Sequence, residues 1–201
     1  MIRVTLKGNV VKEFDRGVTA AEVCAGLGTG LLKAACAAKV DGQLTDLRTP
    51  LTGDCALEIV TFEDPEGKAA FRHTASHILA QAVKHLYPET KLAIGPSTET
   101  GFYYDFDRPT PFSADDLRLI EQEMGRIVKE GLEITCFTLP AEEAKAQMAD
   151  EPYKLELIEE HAGRGEAIRF YRQGEFVDLC AGPHLLNTFP VKALRLTQTT
   201  G

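Results

Sequence analysis

The chain has 201 residues, 44% hydrophobic and 26% charged, which suits one large or two small soluble domains, each able to bury a core. Its net charge of -8 argues against a strong non-specific grip on nucleic acid, which comes from lysine and arginine displacing counterions from phosphates. No apolar run approaches the roughly 20 residues that span a bilayer, and MIRVTLKGNV lacks the basic-then-apolar layout of a signal peptide, so a cytoplasmic location is expected.

In chain order, IRVTL and NVVKEF flank Lys7-Gly8 and predict a hairpin. Thr19 with Glu22 is a capping-box pattern opening one short helix that ends near Gly28. The apolar LLKAACAAKV, an Asp41-Gly42 turn and the strand ALEIV complete a compact α+β unit. The Asp-Pro-Glu-Gly cluster in TFEDPEGKAAF breaks both periodicities, so a domain boundary is expected within residues 62–67.

A helix is then expected from Ala69 to Tyr87, stopped by Pro88. AIGPSTETGFYYDF reads as strand, turn and strand. Ser113 and Asp116 open a helix whose apolar positions Leu117, Ile120, Met124, Ile127 and Val128 recur at helical spacing before Gly131. LEITCFT alternates like a half-buried strand, two short helical stretches surround Pro152 and Lys154, and AIRFYRQGEFVDLC predicts a hairpin turning at Gln173-Gly174. There is no internal repeat or low-complexity segment.

Three of the five histidines fall in two short stretches, FRHTASHIL and VDLCAGPHL. On the helix, Phe71, Ala75, Ile78, Ala82 and Leu86 form an apolar stripe. His73 and His77 share a face roughly opposite it, pointing to solvent or a cleft. Strand alternation puts Asp178 and Cys180 on one face and Val177 and Leu179 on the other, and the Ala181-Gly182-Pro183 turn can return His184 to the first of these. His73, His77, Asp178, Cys180 and His184 therefore define a candidate cleft.

By spacing alone, two histidines one helical turn apart with a Cys-x3-His pair match the ligand set of a tetrahedral zinc site. The zincin pattern is not met, because Thr74 stands where it needs glutamate. A thiol enzyme of the papain kind needs only Cys180 and one histidine. The five cysteines are odd in number and scattered, so no disulfide framework is expected.

RHTASHILAQAVKHLYP, IGPSTETGFYYDFD, EPYKLELIEE and VDLCAGPHL, in this order, resemble the N-terminal region of bacterial threonyl-tRNA synthetases. Residues 1–62, with GVTAAEV and AAKVDGQLTDL, resemble the TGS domain of those enzymes, a ubiquitin-like β-grasp fold. Residues 63–201 resemble their editing domain, a larger α+β unit related to the alanyl-tRNA synthetase editing domain. Ser97 and Thr98 depart from the family by replacing a more apolar pair after Gly-Pro.

The resemblance implies post-transfer editing, an aminoacyl-tRNA deacylase hydrolysing serine from misacylated threonine tRNA. It assigns catalysis to His73, His77, Lys154, Asp178, Cys180 and His184, and substrate binding to Asp178, for the serine ammonium, and Tyr104, for the terminal nucleotide. Lys154, His73 and His184 would position or deprotonate water, while His77 and Cys180 shape the pocket. It further implies no cofactor, against the alternative of zinc at His73, His77, Cys180 and His184; no membrane partner; and a full-length synthetase that is a homodimer. No segment offers the class II synthetase core, so this polypeptide is expected not to activate threonine, to bind tRNA weakly by itself, and to be a piece of a longer enzyme or a free-standing editing factor. The competing expectation is a zinc-stabilised RNA-binding or regulatory module without catalysis.

Overall fold

Alternation in the first strand is clean: β1 (Ile2–Leu6) buries Ile2 and Val4 and exposes Arg3. It pairs antiparallel with β2 (Val10–Phe14), Leu6 opposite Val10. The turn thus takes in Asn9, whose φ of 60° beside Gly8 at 81° moves the start of the second strand to Val10. Thr19 caps α1 (Ala20–Leu27) through the expected capping box: its hydroxyl accepts from the Glu22 N–H at 3.2 Å and its own N–H donates to the Glu22 carboxylate at 2.8 Å.

A second short helix not foreseen from sequence, α2 (Thr29–Ala34), takes up the first half of the apolar LLKAACAAKV run. The rest becomes β3 (Ala35–Val40), which turns at Asp41-Gly42 into β4 (Gln43–Thr45). β5 (Cys55–Thr61) lies parallel to β1 and antiparallel to β3, giving the β-grasp order β2-β1-β5-β3-β4. Ile2, Val4, Ala20, Val23, Leu47 and Leu57 fill the core against one face of that sheet.

The next helix, α3 (Pro65–Leu86), begins four residues before the expected Ala69, inside the cluster read as a break. Its chemistry suits a helix start. Proline in the first turn lacks an N–H that no helix could use, the Asp64 carbonyl accepts from the Lys68 N–H at 3.0 Å, and Glu66 sits at the positive end of the helix dipole. Gly67 is required by proximity, since a Cβ there would lie 1.8 Å from the Thr61 carbonyl oxygen. At the other end the helix stops before Pro88, where Lys84 Nζ donates to the Pro88 and Thr90 carbonyls at 2.7 and 3.0 Å.

The computed structural model describes residues 1–200 and divides into two compact units, Met1–Phe71 with Gly182–Leu186, and Arg72–Ala181 with the residues from Asn187 onward. In the second unit β6 (Lys91–Leu92) and β7 (Phe106–Asp107) pair as the base of a long hairpin, with Thr98 N–H donating to the Gly101 carbonyl at its tip. α4 (Ala114–Glu130) has the expected Ser113–Asp116 capping box and a left-handed Gly131 at its end. Then follow β8 (Ile134–Thr138), α5 (Ala141–Gln147), α6 (Pro152–Gly163), β9 (Arg169–Gln173) and β10 (Phe176–Leu179).

The last three strands form an antiparallel sheet ordered β10-β9-β8, and Phe176 opposite Gln173 puts the turn at Gly174-Glu175, one residue later than expected. Phe170 and Leu179 pack with Ala144, Met148 and Ile158 of α5 and α6 on one face. Among the described residues no helix is long and apolar enough to cross a membrane.

Candidate active site

The single apolar stripe expected on α3 understates its burial. Residues 74–83 are all buried, so the helix is enclosed on every side, and His77, expected to face solvent or a cleft, is 3% exposed. The β8–β9–β10 sheet covers that side: the Phe176 ring meets the His77 ring edge-on at 6.2 Å, and Gln173 Nε2 donates to the His77 carbonyl at 3.2 Å and to Gln81 Oε1 at 2.8 Å. His73, one turn nearer the helix start, is half-buried.

Alternation along β10 holds as expected. Val177 and Leu179 join the apolar cluster, while Asp178 and Cys180 turn to α3. Asp178 is 1% exposed and sits among three partners. Lys154 Nζ lies 2.7 Å from its Oδ1, an ion pair rather than a well-aligned hydrogen bond. The Tyr104 hydroxyl donates to Oδ2 at 2.7 Å, and His77 Nε2 is 3.7 Å from the same oxygen. Lys154, buried in the first turn of α6, also stands 5.5 Å above the Tyr104 ring.

These surroundings fix proton positions. Burial, then electrostatic coupling to His73 and Lys154, holds the His77 pKa well below the usual imidazole range, so His77 is neutral at pH 7 and its contact with Asp178 is not an ion pair there. Burial, then the Asp178 charge and hydrogen bond, push the Tyr104 phenol well above its usual value, so it serves as a donor.

Cys180 Sγ is 3.2 Å from His73 Nε2, and the His73 and His77 rings meet edge-on at 5.3 Å. The ligand-capable atoms of His73, His77 and Cys180 lie within 4.8 Å of one another, an arrangement compatible with a metal site. Zinc bonds of about 2.0–2.3 Å set tetrahedral donors about 3.3–3.8 Å apart, close to the 3.2 Å between Cys180 Sγ and His73 Nε2.

The second unit thus brings together His73, His77, Tyr104, Lys154, Asp178 and Cys180. His184, 1% exposed, lies in Gly182–Leu186, which belongs with the first unit. There its N–H donates to Asp46 Oδ2 at 3.3 Å, and Arg48 donates to its carbonyl and to that of Leu185.

Sequence reasoning missed several supporting residues. Gln81 continues the i, i+4 row of His73 and His77, a signal present in the sequence, whereas Gln173 had none beyond its place beside a turn. Gly95 is needed because a Cβ there would lie 2.1 Å from Tyr104 Cδ2; Ser76 Oγ holds the Gly95 carbonyl at 2.6 Å. Tyr104 also borders a cavity of about 800 Å³ with Phe102, Tyr103, Phe112 and Arg195, whose lining includes none of His73, His77, Lys154, Asp178 or Cys180.

Residues 2–61 match the TGS domain, and residues 168–201 match the second additional domain of threonyl and alanyl tRNA synthetases. Asp178, Cys180 and His184 fall within the latter match. The whole chain is 53% identical to the threonine–tRNA ligase of Acetivibrio thermocellus, of which it covers 32%. It is 52% identical to that of Clostridium botulinum and 51% to that of Clostridium perfringens, covering 31% of each. The chain therefore spans about a third of the length of the curated relatives it matches, and is similar to the N-terminal region of bacterial threonine–tRNA ligase, β-grasp TGS domain first and editing-type domain second.

Proposed function

We propose that the chain edits misacylated tRNA, hydrolysing the ester between serine and threonine tRNA, with residues 1–62 as the TGS domain and 63–201 as the editing domain. The observation that carries this reading is the almost fully buried Lys154–Asp178 pair, reached by Tyr104 and flanked by His77 and the His73–Cys180 contact. A fold gains little from burying such a pair, since apolar residues of similar volume are often as stabilising or more so. Fixed charges and an imidazole do suit the hydrolysis of a charged amino acid ester.

The need for a second site is physical. Threonine and serine differ by one methyl, worth about 1–3 kcal/mol of discrimination in a pocket. Of the six residues gathered in the second unit, Asp178 carries the one carboxyl group and so is the partner for the serine ammonium. His73, with Lys154 and His184, orients the attacking water and takes its proton. Water oxygen bonds to the ester carbon, the ester C–O bond breaks, the ribose oxygen leaves with a proton, and serine is released. Neutral His77 and Cys180 shape the pocket, which admits serine and excludes the added methyl. Tyr104, beside a cavity large enough for a small ligand, meets the terminal nucleotide.

The test compares the chain on Ser-tRNA(Thr) and Thr-tRNA(Thr), beside His73→Ala. Rapid loss of serine, slow loss of threonine and an inert variant are expected. Equal rates on both substrates, or a fully active His73→Ala protein, would sink the reading.

The spacing of the His73, His77 and Cys180 donors favours one second reading, a zinc-stabilised RNA-binding or regulatory module. Structural zinc contributes folding free energy outright, so a chelator would then unfold the protein. Under the editing reading, thermal stability is the same with and without chelator.

A further inference from the structure

The loop after β4 carries a buried ion pair that the β-grasp core does not use. Arg48 Nη1 lies 2.9 Å from Asp46 Oδ1, with side chains 18% and 4% exposed, and the Arg48 N–H donates to the same oxygen at 2.8 Å. Between them Leu47 is fully buried in the core and its carbonyl accepts from the Ala21 N–H at 2.9 Å. The pair therefore stands on a rigid base. Three of its hydrogen bonds reach one place far along the chain: Asp46 Oδ2 accepts from the His184 N–H at 3.3 Å, Arg48 Nη1 donates to the His184 carbonyl at 3.3 Å, and Arg48 Nη2 donates to the Leu185 carbonyl at 2.5 Å.

We infer that Asp46 and Arg48 are positioning residues for His184. This rests on the reading that makes His184 catalytic. Holding both the N–H and the carbonyl of one residue fixes the peptide planes on either side of its Cα. The backbone that carries the imidazole is then held in place. The planar guanidinium spans two successive carbonyls at once, which a lysine ammonium on its flexible stem does not reproduce. Small misplacements of a reacting group are costly, so the grip should register in the chemical step rather than in substrate binding.

The test uses the 201-residue chain with Arg48→Lys and Arg48→Met, measuring steady-state deacylation of Ser-tRNA(Thr) and amide hydrogen exchange at His184 and Leu57. In Arg48→Met, kcat should fall roughly 10- to 100-fold at unchanged KM, His184 exchange should quicken, and Leu57, in the β-grasp core, should stay protected. Arg48→Lys, which keeps a cation beside Asp46, should fall between the two and decides the matter if Arg48→Met does not fold. Wild-type kcat in both variants, or unaltered His184 exchange in both, would overturn the inference. A wild-type chain without hydrolysis would instead overturn the proposed function, and this role with it.

Discussion

The two units differ in how many polar side chains they bury. In the first, an apolar cluster runs from Ile2 and Val4 to Leu47 and Leu57, and the buried polar residues are few, Asp46 and His184. In the second, the enclosed stretch of α3 carries Thr74, Ser76, His77 and Gln81 among its apolar residues, and faces buried Gln173 and Asp178, which pairs with buried Lys154. The hydrophobic effect accounts for the apolar cluster of the first unit, with the Asp46–Arg48 pair beside it as the exception. It does not account for the interior of the second, because each polar group there had to be stripped of water and given a partner. Under the proposed editing function, that arrangement serves the chemistry at the site.

Removing one member of the buried pair should give the largest effect. Lys154→Met leaves Asp178 buried without its cation, and urea denaturation should show a loss of about 3–5 kcal/mol together with loss of deacylation. Lys154→Met/Asp178→Leu should recover most of that stability and none of the activity. A double variant as unstable as the single would show that the pair is structural and erase the contrast between the units.

A core truncation in the first unit should behave in the opposite way. Leu57, 3% exposed, becomes a cavity in Leu57→Ala, costing about 2–5 kcal/mol by denaturation. Deacylation per folded molecule should be unchanged.

The pH dependence is smaller and its sign is fixed. His77 titrates well below an unfolded histidine, so its neutral form favours the fold. That contribution is complete above the unfolded value of about 6.5 and is lost as pH falls toward the folded value, with a slope of at most about 1.4 kcal/mol per pH unit. Thermal melts should show Tm dropping below pH 6.5, and less steeply in His77→Gln. Equal slopes would mean that His77 is not held neutral. The smallest effect belongs to the surface: Arg118→Ala removes an exposed ion pair with Asp115 and should leave melting and activity unaltered.

What the sequence made legible was local. The Thr19–Glu22 and Ser113–Asp116 boxes are read within one turn and both formed. The alternation that sets Asp178 and Cys180 apart from Val177 and Leu179 needs only a strand. The errors arose where distant chain decides. The Asp64-Pro65-Glu66-Gly67 cluster is the exception, since Pro65 and Glu66 are themselves first-turn signals and Thr61, which binds Asp64, lies only three residues before it. The second buried face of α3 exists because a sheet about a hundred residues later covers it. The seat of Tyr104 depends on Gly95, and the hold on His184 on residues 136 and 138 positions away. The His73–His77 spacing marked a site, yet His77 is enclosed, a difference of burial that helical periodicity does not carry.

The most direct measurement is single-turnover hydrolysis of Ser-tRNA(Thr) by the wild-type chain beside Lys154→Met/Asp178→Leu, each shown folded by its denaturation curve. Loss of the serine ester with the wild type alone is the expected result. Equal hydrolysis by both proteins would contradict a catalytic role for the buried charges.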